Sequence, residues 1–74
     1  MIIVNQEKDE IINFNNTGIV EIDEYQRPFQ INIYVNDVWR GIGQYATQER
    51  EKKVLRDIVD NYVACSEYYY MPKE

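Results

Sequence analysis

The side chains that could do chemistry in this chain are few. Histidine is absent, which removes the commonest general base and the usual partner of a serine or cysteine nucleophile. The carboxylates cluster as Asp9 with Glu10, Glu21 with Asp23 and Glu24, and Asp57 with Asp60. The first two groups belong to turns and strand ends and the third to a polar helix face, so each reads as solvated charge. Gly41-Ile42-Gly43 is too short for a phosphate-cradling loop, and more simply permits a twisted strand or close approach of an aromatic ring. Cys65 is the single cysteine. It closes no internal disulfide and, without histidine, builds no zinc cage; it reads as a small apolar residue near a helix end. These residues point away from an enzyme, and no metal or cofactor is expected.

Two groupings do suggest binding. Tyr34, Trp39 and Tyr45 are expected on one face of a sheet, where an aromatic patch marks an interface or a stacking platform. Base–aromatic stacking contributes about 1–3 kcal/mol per base, enough to hold a nucleotide if phosphate contacts assist. The second grouping is cationic. Arg40 falls on the opposite, apolar face, and Arg50 lies one turn before Val54 on the edge of a buried stripe. Arg50 reads either as a structural ion pair, with Glu51 or an acid on the sheet, or as a guanidinium fork for phosphate beside a helix N-terminus.

The elements that must position these residues follow from periodicity. Ile2, Ile3 and Val4, then residues 11–14, read as a hairpin across a polar turn. Residues 15–18 have turn chemistry, residues 19–22 form a third strand, and the segment from Asp23 to Pro28 reads as a loop. Phe29, Ile31, Ile33 and Val35 alternate with Gln30, Asn32 and Tyr34, the period of a half-buried strand. Asn36-Asp37 then reads as a two-residue hairpin turn. That turn sets Val35 against Val38, Tyr34 against Trp39, Ile33 against Arg40, Asn32 against Gly41 and Ile31 against Ile42. Thr47 is a good N-cap, with Glu49 and Glu51 in the first turn, where the dipole favours negative charge. Val54, Leu55, Ile58, Val59 and Tyr62 make the apolar stripe, and Lys52, Lys53, Arg56, Asp57 and Asp60 the wet face.

The expected fold is therefore α+β: a small antiparallel β-sheet of about five strands, a meander, packed against one C-terminal amphipathic helix. The chain reads as a single domain over 1–74, with sheet over 1–46, helix over 47–65 and an extended aromatic tail over 66–74. Tyr68, Tyr69 and Tyr70 are too aromatic for a solvated tail and are expected to pack on the sheet or on a second copy. With Tyr34 and Trp39 they form the candidate interface. A core this small rarely supplies more than about 3–5 kcal/mol, so a homo-oligomer, a dimer or higher, is the expected added support.

The charge is acidic, with 13 Asp and Glu against 8 Lys and Arg, a net of −5. That argues against a general nucleic-acid binder, which needs a basic stripe, and leaves either a nucleic-acid mimic or an ordinary solvated surface. No apolar run is long enough to span a membrane, and the start lacks the pattern of a signal peptide. With a lone cysteine, the expected location is the reducing cytosol.

A family resemblance adds to this. The opening Ile3-Val4-Asn5-Gln6-Glu7-Lys8-Asp9-Glu10-Ile11-Ile12-Asn13-Phe14-Asn15-Asn16 resembles that of many small phage and prophage proteins of Gram-positive bacteria. Gly43-Gln44-Tyr45-Ala46-Thr47-Gln48-Glu49-Arg50 before Val54-Leu55, and the ending Tyr69-Tyr70-Met71-Pro72, are similar to the same group. Within that group sits the phage Thoeris anti-defence family, sponges for cyclic ADP-ribose signals and, in some members, cyclic oligonucleotides. The resemblance implies a non-catalytic homo-oligomer that sequesters a nucleotide immune signal in the host cytosol. Tyr45, Thr47 and Arg50 sit on matching motif positions; Trp39 and Arg40 join the candidate ligand set through the strand register. Two alternatives stay open: an acidic inhibitor that binds a host defence complex as a nucleic-acid decoy, and a structural or assembly module of a phage.

Overall fold

The computed structural model describes residues 1–14, 18–23 and 29–74. Its elements run β1 (Ile2–Val4), β2 (Ile11–Asn13), β3 (Ile19–Asp23), β4 (Gln30–Val35), β5 (Val38–Gln44), α1 (Gln48–Val63) and β6 (Tyr68–Tyr70). The class is α+β, as expected. The six strands form two three-stranded sheets, ordered β2-β1-β6 and β3-β4-β5, where one sheet of about five strands was expected. Residues 15–17 and 24–28, where a turn and a loop are expected, lie outside the described residues.

The first sheet is built around one buried amide. Asn5 follows β1, and its Oδ1 accepts from the backbone N–H groups of Asp9 (3.1 Å) and Glu10 (3.0 Å) while its Nδ2 donates to Asp9 Oδ1 (2.8 Å). These bonds close the polar turn, with Lys8 at φ 61°, and return the chain as β2 antiparallel to β1. The aromatic tail supplies the third strand. Tyr68, Tyr69 and Tyr70 pair in parallel with Ile2, Ile3 and Val4. The tail thus packs on its own chain, and it pairs by backbone hydrogen bonds as well as by ring contact.

The second sheet is a meander of consecutive antiparallel strands. Its hairpin turn is the one read from Asn36-Asp37, with φ values of 54° and 64°. Two positive φ angles match a type I′ turn, whose twist suits flanking strands, and Asn and Asp tolerate that region better than most residues. Val35–Val38, Tyr34–Trp39, Ile33–Arg40 and Asn32–Gly41 pair as expected. A β-bulge then intervenes, so Ile31 faces Gly43 and not Ile42.

Helix α1 starts where Thr47, in an extended conformation, accepts the Arg50 N–H at 3.1 Å through Oγ1. Such a cap contributes about 1 kcal/mol. The helix ends in a Schellman motif: the Cys65 N–H donates to Tyr62 O (3.1 Å) and the Ser66 N–H to Asn61 O (3.0 Å). Cys65 carries the left-handed φ of 59° that this motif requires, a position where glycine is usual. Its side chain is exposed.

One core serves both sheets and the helix. Ile3 and Ile12 come from the first sheet, Ile31, Ile33 and Ile42 from the second, Val54 and Ile58 from α1, joined by Tyr45 and Met71. Each fully buried isoleucine contributes roughly 1.5–3 kcal/mol. The outer members of the helical stripe, Val59 and Tyr62, stay exposed. The sheets are stitched at the bulge by Gln6. Its backbone N–H donates to Ile42 O (2.8 Å), and its side-chain amide bonds both backbone groups of Gln44 (2.7 and 2.9 Å). No helix of the described residues is long and apolar enough to cross a membrane.

Candidate ligand-binding site

The bulge in β5 decides which side chains meet. Side chains alternate along a strand, and one inserted residue moves everything after it to the other face. Before the bulge, Tyr34 and Trp39 point away from the core, as expected, with ring centroids 5.0 Å apart. After it, Tyr45 points inward. Expected beside Trp39 on the open face, Tyr45 is instead 5 % exposed, with its N–H bonded to Phe29 O and its hydroxyl donating to Pro72 O at 2.8 Å. Gly43 makes this possible: a Cβ there would lie 3.0 Å from both Met71 Cε and the Tyr45 hydroxyl.

The candidate ligand set therefore splits. Tyr45, Thr47 and Arg50 come together where β5 meets α1. The Arg50 guanidinium carbon sits 5.9 Å from the Tyr45 ring centroid, within cation–π range. Trp39 and Arg40 lie near the opposite end of β5, about 20 Å away at the usual rise per residue. One small ligand on one copy cannot span that distance. Arg40 forms an ion pair with Glu10 from the β1–β2 turn. The expected partner of Arg50, Glu51 or an acid on the sheet, is not what its Nε finds: that N–H donates to the main-chain oxygen of Glu74 at 2.9 Å. Of the expected interface tyrosines, Tyr68 and Tyr70 point outward. Tyr69 packs against the core, because the middle residue of a three-residue strand faces the other way.

At the start of α1 an open groove of about 660 Å³ is lined by Thr47 and the cations Arg50, Lys52, Lys53 and Arg56, with Glu49 and Asp57. Four of the chain's 8 basic residues thus gather on a protein whose net charge is −5. Two members of this lining neighbour rings packed in or against the core: Arg50 lies near both Tyr45 and Tyr69, and Asp57 near Tyr69. Burial, the larger cause, pushes the hydroxyl pKa of each up to about 12. The neighbouring Tyr69 adds to the rise at Tyr45, and Asp57 adds to it at Tyr69; Arg50 opposes it at both. Both rings are therefore neutral at physiological pH and add no charge beside the groove. Among the described residues no cluster of His, Cys, Asp or Glu could hold a metal ion.

Two contributors escape a reading of sequence alone. Gln6 donates to Lys73 O at 2.7 Å. With Tyr45 on Pro72 and Arg50 on Glu74, three consecutive carbonyls of the last segment are held by side chains from three parts of the chain. Asn5 orders the turn that presents Glu10 to Arg40. Polar side chains in loops give no periodic signal, so neither stood out. No family model matches the chain, and neither a curated protein nor a solved structure is significantly similar to it.

Proposed function

We propose that this protein is a non-catalytic binding protein that sequesters an anionic nucleotide, of the kind used as an immune signal, and that it does so as a phage-type anti-defence sponge. The observation that carries the reading is the groove at the start of α1. There Arg50, anchored by the cap and by Tyr45, lies with Lys53 and Arg56 on an otherwise acidic molecule. Guanidinium and ammonium groups beside free helix N–H groups favour phosphate. With the aromatic platform about 20 Å away along β5, a stacked base and a bound phosphate would come from different copies. The same reading therefore has the protein act as a homo-oligomer.

Calorimetric titration with cyclic ADP-ribose isomers and cyclic dinucleotides tests this. Saturable binding by the wild type, weakened at least about tenfold in Arg50→Ala, supports the reading. Absence of binding to every one of these nucleotides, with the protein folded, refutes it.

A further inference from the structure

The two sheets present different outer faces. On the first, the outward positions are Ile2, Val4, Ile11, Asn13, Tyr68 and Tyr70, in two cross-strand rows: Ile2–Asn13–Tyr68 and Val4–Ile11–Tyr70. None of the six is charged, on a chain in which 28% of residues are. Ile2 is 41%, Ile11 71%, and Tyr68 and Tyr70 each 57% exposed. On the second sheet the apolar row Ile19–Tyr34–Trp39 is followed by the row Glu21–Asn32–Gly41, and Asp37 accepts from the Tyr34 hydroxyl.

We propose that two copies of this chain pack face to face through the outer faces of their first sheets, about a two-fold axis parallel to the strands. Three observations select a second copy as the occupant. The first is charge. On a protein of net −5, most surfaces would set acids against acids in a symmetric pair. The β2-β1-β6 face sets nothing charged against itself, whereas the outer face of the second sheet would bring Glu21 and Asp37 toward their own copies.

The second is relief. Along the sheet the face rises from Ile11 and Asn13 on β2 to the rings of Tyr68 and Tyr70 on β6, which meet edge to face with centroids 5.4 Å apart. A two-fold axis parallel to the strands turns the tall side of one copy onto the low side of the other. Tyr70 then lies over Ile11 of the second copy and Tyr68 over its Asn13, with Ile2 and Val4 meeting their own equivalents across the axis. Sheets packed this way lie about 10 Å apart, with strands nearly aligned.

The third is area. The four exposed side chains present roughly 450 Å² per copy, so the pair removes about 900 Å² before any rim contact, at the weak end of specific interfaces. An interface of this size suits a pair that associates reversibly. This inference rests on the self-association reading above but not on the identity of any ligand, and it is measured with ligand absent.

The test is sedimentation velocity over a concentration series, with circular dichroism to confirm folding. The wild type goes from monomer to dimer. Ile11→Glu and Tyr70→Lys, both at exposed positions, each lower the association constant at least about tenfold. An equimolar mixture of the two variants recovers the dimer, because the axis places position 11 of one copy against position 70 of the other. A wild type that stays monomeric, or a dimer untouched by Ile11→Glu but lost in Trp39→Glu, overturns the proposal. So does failure of the mixture to recover. Nucleotide binding measured on the same variants separates this failure from failure of the sponge reading.

Discussion

The two sheets teach different lessons about how a short chain builds a fold. The second is local. Its strands follow one another in sequence, and the pairing of β4 with β5 is set by the two-residue turn between them. The first is assembled from both ends of the chain, with β6 laid parallel to β1 across more than sixty intervening residues. Short-range pairing is cheap in loop entropy, and long-range pairing needs side chains that lock it from outside. That is the role of Asn5, Gln6 and Met71: one orders the hairpin, one clamps both sheets, and one buries the end of β6 in the common core.

If this contrast holds, the first sheet is where single changes cost most. Met71→Ala should lose about 2–5 kcal/mol, the range for truncating a buried methionine, comparable to the whole stability of a domain this size. A urea melt followed by circular dichroism would show it. Two separate transitions in that melt would break the comparison from the other side, because they would mean that the sheets do not share one cooperative core. Asn5→Ala removes the acceptor of two turn N–H groups in a part-buried site and should cost about 1–2 kcal/mol. Cys65→Gly should act in the opposite direction. Relieving a left-handed φ at a non-glycine residue gains about 1 kcal/mol, or roughly 4–8 °C in Tm for a domain of this length. It lies just outside both sheets and calibrates the melts.

The last effect is in pH. Tyr45 and Tyr69 ionise near 10 when unfolded and near 12 when folded. Above pH 10 the unfolded chain gives up these protons before the folded one does. Their contribution is therefore complete below pH 10 and is lost as pH rises toward 12. Tyr45→Phe should make that alkaline decline shallower. An unchanged slope would mean that burial at the junction does not govern the titration.

Legibility follows the same division. The Asn36-Asp37 turn, four register pairs of β4 with β5 and the Thr47 cap could be read directly, because each rests on neighbouring residues. The inward turn of Tyr45 could not, because the bulge at Ile42 is held by Gln6, far away in sequence. Gly41 and Gly43 did carry a signal, since isolated glycines within a strand pattern often mark a bulge. Read as permitting twist or the close approach of an aromatic ring, and not as a bulge, they left the face of Tyr45 inverted, although a ring does approach Gly43 closely. The pairing of residues 68–70 with β1 had no local signature beyond their aromatic character. The junction of Tyr45, Thr47 and Arg50 was visible as a motif, whereas the gathering of Lys53 and Arg56 beside it looked like an ordinary solvated helix face.

The anchoring of Arg50 on Glu74 has a consequence for how an anion would be felt. A guanidinium has five N–H donors in one rigid plane, and fixing Nε orients the remaining four before anything arrives. An anion that prefers the oriented fork must, by reciprocity, also steady the terminal segment that orients it. Slower amide exchange at residues 73 and 74 would then report occupancy without any label on the visitor.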